Sequence, residues 1–210
     1  MGQVLRIMAY ERAANERNAI QGLKLLDKPL KWHRLDDGVM GGQSETLHSF
    51  DGVLNFSGQI NCNGGGFTSI RSAIPDGLSS DTTGVRVTYV GDGKTYKVLF
   101  SDGNKSAFGP SSRSPSWQTD LPTKEGIEKT TTISFDLLTP SLRGGPIDSD
   151  AKFDPTQIQE MGFMLSLKLS DGKPNPVETY GTGIFPFSLK IKHIEPISGG
   201  GDCKAETSAK

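Results

Sequence analysis

From residue 32 onward apolar side chains recur at every second position, the period of a half-buried β-strand. VRVTYV (85–90) places Val85, Val87 and Tyr89 on one face, and YKVLF (96–100) places Tyr96, Val98 and Phe100 on one face. The GDGKT between them, with Asp92-Gly93 as its turn, predicts a hairpin. TTISFDLL sends Ile133, Phe135 and Leu137 inward, and MGFMLSLKL alternates Met161, Phe163, Leu165, Leu167 and Leu169. FSLKIKHI does the same with Phe187, Leu189 and Ile191, and LNFSGQI supplies another short strand. Ahead of these strands the period changes. In residues 3–26, Leu5, Met8, Ile20 and Leu23 share a helical face, and the alanines are good helix formers.

Short strands at near-regular spacing, parted by Gly, Pro and Asp, predict an all-β antiparallel sandwich carrying an N-terminal helix. No helical crossovers separate the strands, which argues against a parallel sheet. Residues 103–126 are polar and rich in Ser and Pro, and read as a long exposed loop around Trp117. Residues 170–186 read as a second loop. The division is then 1–29 as a helical extension, 30–197 as the β-sandwich domain and 198–210 as a disordered tail.

The 26 glycines and 12 prolines in 210 residues agree with a turn-rich β-domain. A net charge of -1 leaves no surplus to drive binding to nucleic acid. No apolar run approaches the ~20 residues that cross a bilayer as a helix. Residues 1–26 lack the apolar core of a secretory signal. Arg6, Arg12, Arg17 and Lys24 resemble a mitochondrial presequence, but Glu11, Glu16 and the absence of serine do not, so the cytoplasm stays open as a compartment. Cys62 and Cys203 read as free thiols.

Candidate chemistry is sparse. GDGKT lacks both the upstream glycine and the following helix of a phosphate loop. HRLD (33–36) has nothing else of a kinase around it. His33, His48 and His193 have no metal-ligand spacing, and Cys62 has no evident base. Asp36 and Asp37 either ligate calcium or cap amides in an Asp-Gly turn, the second being the commoner use. Trp32, Phe67 and Trp117 are candidates to stack on a sugar or partner, or to anchor loops. Arg71 is a candidate to clasp Asp36 or Asp37.

Two glycine-dense stretches remain. W-x-x-x-D-D-G-V-M-G-G-x-S at 32–44, F-S-G at 56–58 and N-G-G-G-F-T-S-I-R at 63–71 together resemble the complex I intermediate-associated protein 30 family. VGDGKTYKVLF, Trp117 ahead of FDLLTPSLRGGP, and the closing IQEMGFMLSLK and GIFPFSLKIKHIEPI continue the likeness over roughly residues 30–197. The proline-containing SDGKPNPVETYGTG departs from it.

The resemblance implies a galactose-binding-like jelly roll and a non-catalytic assembly factor or chaperone. It also implies complex I assembly intermediates as protein partners, a mitochondrial location and no cofactor. The binding candidates are Trp32, Asp37, Met40, Gly41, Gly42 and Ser44 from the first stretch. The second contributes Asn63, Gly65, Gly66, Phe67 and Arg71, and Trp117 stands apart. The two stretches are expected to meet at one end of the sandwich, with Asp37, Ser44, Asn63 and Arg71 cross-linking the turns. The rival reading is a carbohydrate-binding module with Trp117 as its platform. An enzyme is the remotest, for want of any acid-base, nucleophile or metal constellation.

Overall fold

The period-two pattern becomes two antiparallel sheets packed face to face. A computed structural model describes residues 30–74, 77–103, 115–142 and 144–199, apart from the side chains of Val39 and Met40. The helix expected over residues 3–26 and the tail beyond residue 199 lie outside the described residues.

In chain order the strands are β1 (Trp32–Asp36), β2 (Glu45–Phe50), β3 (Leu54–Asn61), β4 (Phe67–Ala73), β5 (Thr82–Val90) and β6 (Thr95–Ser101). They continue as β7 (Ser116–Pro122), β8 (Glu128–Ser134), β9 (Thr139–Leu142), β10 (Gly145–Pro146), β11 (Glu160–Ser166) and β12 (Ile184–Ser198). Among the described residues one sheet orders β1-β4-β11-β6-β7-β9-β10 and the other β2-β3-β12-β5-β8. The inward sets named by the alternation fill the space between them: Val85, Val87 and Tyr89 from β5, Tyr96, Val98 and Phe100 from β6, Met161, Phe163 and Leu165 from β11, and Phe187, Leu189 and Ile191 from β12. Burying apolar surface on this scale is the main stabilising term.

The expected GDGKT hairpin is not formed. β5 belongs to the five-stranded sheet and β6 to the seven-stranded one, so the chain crosses the core between them. Alternation reports which residues face inward, not whether consecutive strands share a sheet, and both arrangements satisfy it here. The crossing is held by Asp92, whose carboxylate accepts from Lys94 N (3.3 Å), Tyr96 Oη (3.0 Å) and Ser188 N (2.9 Å).

Other expectations shift at strand ends. Phe135–Leu137 is a 3-10 turn, so Leu137 points into solvent and Leu138 takes the buried place. β11 stops at Ser166, which leaves Leu167 exposed. The stretch expected as a loop around Trp117 contains β7, and Trp117 is 3% exposed, packed edge-on against Phe153 at 5.9 Å. Its polar neighbours concealed the period, because Gln118 and Asp120 sit on the outer face of the sheet. The second loop gives way to β12 at Ile184 and contains a helical turn, Val177–Tyr180.

Candidate functional site: a carboxylate-locked glycine corner

Because paired strands run antiparallel, the β1–β2, β3–β4, β5–β6, β7–β8 and β11–β12 connections all emerge at one end of the sandwich. Both glycine stretches lie there. Asp37 opens a single 3-10 turn, Asp37–Met40, and is fully buried. Its Oδ1 accepts from Ser44 N at 2.9 Å. Its Oδ2 accepts from Ser44 Oγ at 2.6 Å, Gly66 N at 2.6 Å and Phe67 N at 3.3 Å. One side chain therefore joins the first glycine stretch to the second.

The glycines explain themselves at this distance. A Cβ on Gly42 would stand 2.3 Å from the Asp37 carboxyl carbon, and one on Gly65 would stand 2.2 Å from Oδ2. The two backbones close on the carboxylate from opposite sides, and only residues without side chains permit it. Burial pushes the Asp37 carboxyl pKa up. The hydrogen bonds from Ser44, Gly66 and Phe67 outweigh it and hold the pKa below the ordinary value. Asp36 does a parallel job one residue earlier, accepting from Thr46 N at 3.1 Å and Thr46 Oγ1 at 2.5 Å. The capping use of the two aspartates is the one the structure displays, although its reach extends well beyond the local turn. Among the described residues no three His, Cys, Asp or Glu side chains gather in one place.

The remaining candidates divide. Gly41 N and Gly42 N donate back to Gly38 O (3.2 Å) and Asp37 O (3.0 Å) and so close the turn, while the Met40 side chain lies outside the described residues. Ser44 Oγ also accepts from Asn61 N at 3.0 Å. Asn63 is exposed and contributes only its backbone N–H, to Asn61 Oδ1 at 2.9 Å; the cross-linking asparagine is Asn61. Phe67 acts here through its N–H. Trp32 tilts over Phe163 at 6.0 Å as an anchor at the far end of β1. Arg71 does not clasp Asp36 or Asp37. It lies on the outer face of the seven-stranded sheet, two strand positions past Ser69, and pairs with Glu160 at 2.8 Å. Trp117, the expected stacking platform, is in the core.

Sequence reasoning missed Tyr180. Its hydroxyl donates to Gly66 O at 2.6 Å, its ring packs on Phe185 at 5.0 Å, and it is 2% exposed. Leu167 N donates to the same carbonyl at 3.1 Å. The SDGKPNPVETYGTG segment thus carries a structural member of the corner. Burial raises the Tyr180 pKa well above the ordinary tyrosine value, and the nearby Cys62 and Asp37 raise it further, so it stays a hydrogen-bond donor. Burial likewise pushes the Cys62 thiol pKa up, which favours the neutral thiol. At this end of the sandwich Ile127, on the β7–β8 connection, and Leu167, Val177 and Ile184, along the β11–β12 connection and the first residue of β12, are exposed.

The architecture is that of an antiparallel β-sandwich. The family 11 carbohydrate-binding module of the cellulosomal cellulase Lic26A-Cel5E of Clostridium thermocellum superposes with a TM-score of 0.52 at 14% identity, covering 81% of this chain and 88% of that one. The structure of PfGH50B matches with a TM-score of 0.52 at 12% identity, over 84% of this chain and 23% of the other. At such identities the likeness is one of fold. No curated protein sequence matches the chain. The family model of complex I intermediate-associated protein 30 matches residues 23–191, and the chain belongs to that family. Membership gives it a role associated with complex I assembly at the level of the family. No helix among the described residues is long and apolar enough to cross a membrane.

Proposed function

We propose that this protein is a non-catalytic assembly factor that holds protein intermediates of respiratory complex I in the mitochondrion, docking them on the glycine-corner end of the sandwich. The observation that carries the reading is the juxtaposition at that end. The hydrogen-bonded corner shares its end of the sandwich with the exposed aliphatic side chains of Ile127, Leu167, Val177 and Ile184. Leu47, Phe50 and Leu137, the other large apolar side chains exposed among the described residues, lie elsewhere on the molecule. Exposed apolar groups on a preorganised frame suit protein docking, since little conformational entropy is lost on binding. The non-catalytic reading is supported by the occupation of the corner's carboxylates, since Asp36 and Asp37 each accept hydrogen bonds on both oxygens. Family membership is what supports complex I intermediates as the partners.

The test is recovery of the tagged protein from its own cells, separated on a native gel with mass spectrometry. Co-migration with complex I subunits is the expected result. Migration as a small free species, without those subunits, would overturn the proposal.

A further inference from the structure

Lys97 is on the outer face of β6, yet it is 2% exposed. Its ammonium has three N–H donors, and among the described residues its hydrogen bonding amounts to one long contact, 3.5 Å, to Gln118 Oε1. Gln118 in turn donates through Nε2 to Ser170 O at 3.1 Å, and Asp120 Oδ1 accepts from Ser170 N at 2.8 Å. Residues 167–175 are thereby laid across β6 and β7 as a strap. It has its own small ladder, with Leu169 N to Lys173 O at 2.8 Å, Gly172 N to Leu169 O at 3.0 Å and Asn175 N to Leu167 O at 2.8 Å. At its far end Asn175 Nδ2 reaches Thr95 O and Ser166 O, but its buried Oδ1 has no partner.

Two buried polar groups are thus poorly served while the strap is down, and each is relieved by water when it lifts. We propose that residues 167–175 form a strap that opens as a unit ahead of the rest of the sandwich, hydrating Lys97 as it does so. The charged groups facing Lys97 are Asp120 from β7 and Asp171 and Lys168 from the strap itself. β11 presents Met164 at that register. Burial lowers the Lys97 pKa to about 8, against the partial opposition of Asp120 and Asp171. With the strap lifted the group regains an ordinary lysine value of roughly 10.4, so opening takes up a proton between these two pH values and is independent of pH below about 8. Lifting also carries Leu167, one of the exposed side chains of the docking end, with its hydrogen bond to Gly66.

Amide hydrogen exchange on the full chain tests this. At pH 7 the amides of Leu169, Ser170, Gly172 and Asn175 are expected to exchange at least about ten-fold faster than those of β11. In Lys97→Met these strap amides are expected to slow by about ten-fold or more, since the variant has no charge to hydrate. Strap rates equal to those of β11, or strap rates unchanged in the variant, would overturn the proposal. Should the variant not fold, the wild type decides by itself. Its strap opening constant, corrected for intrinsic exchange, should be level up to pH 8 and fall by up to about ten-fold per unit above it; a constant value throughout would overturn the proposal.

Discussion

Asp37 is a buried charge whose cost is met by the donors aimed at it. Three backbone N–H groups and a serine hydroxyl converge on its two oxygens, and three of these four hydrogen bonds are buried. Asp37→Ala is therefore expected to destabilise the fold by about 3–5 kcal/mol, the cost of several unsatisfied buried donors, read by urea denaturation. The pH dependence follows from the sign of the shift. The folded carboxyl titrates below its unfolded value of roughly 4, so its stabilising contribution is complete above that pH and fades as the pH falls through the lower folded value. Acid denaturation of the wild type should begin below pH ~4, and the slope should flatten in Asp37→Ala. Much of this site was legible, because D-D-G, G-G and N-G-G-G are conspicuous and Asp37, Ser44, Gly42, Gly65 and Gly66 all belong to it. Arg71 and Asn63 were assigned by proximity in sequence. An arginine two positions further along a strand from a neighbour keeps the same face but moves away from the corner, and an asparagine two positions past Asn61 has already left the strand.

At the scale of elements, periodicity named the inward faces of β5, β6, β11 and β12, because side-chain direction is a local property of the pleat. It failed on the hairpin, since pairing is decided by the whole core. Asp92 then acquires a role that no hairpin turn would give it, tying the start of β6 to β12 through Ser188 N and to Tyr96 Oη. Burial and the Asp92 carboxylate together raise the Tyr96 pKa, which keeps that hydroxyl a donor. Asp92→Ala is expected to cost about 2–3 kcal/mol through the unpaired Ser188 and Tyr96 donors. Thermal melting reads the loss, and a shift of under a degree would show that the crossing is held by packing alone. β7 was concealed for a related reason: Gln118 and Asp120 face outward and are occupied by Lys97 and Ser170, which a single sequence does not signal.

For the whole molecule the antiparallel order has one consequence for function. It collects five connections at one end, so segments far apart in sequence build a single face, and the family's glycine motifs become the fixed frame of that face. The frame and the face should be separable by substitution. Val177→Glu with Ile184→Glu places charges on side chains that are 57% and 62% exposed and make none of the Asp37 hydrogen bonds, and should leave the melting temperature within a degree or two of wild type. If partners dock on this end, the double variant loses co-migration with complex I subunits, because a carboxylate buried unpaired in an apolar interface costs several kcal/mol. Leu47→Glu, a comparably exposed position midway along edge strand β2, serves as the control and should keep its partners. Loss of co-migration in Leu47→Glu with retention in the double variant would move the docking surface to the edge of the five-stranded sheet, where an unpaired strand offers its own mode of recognition.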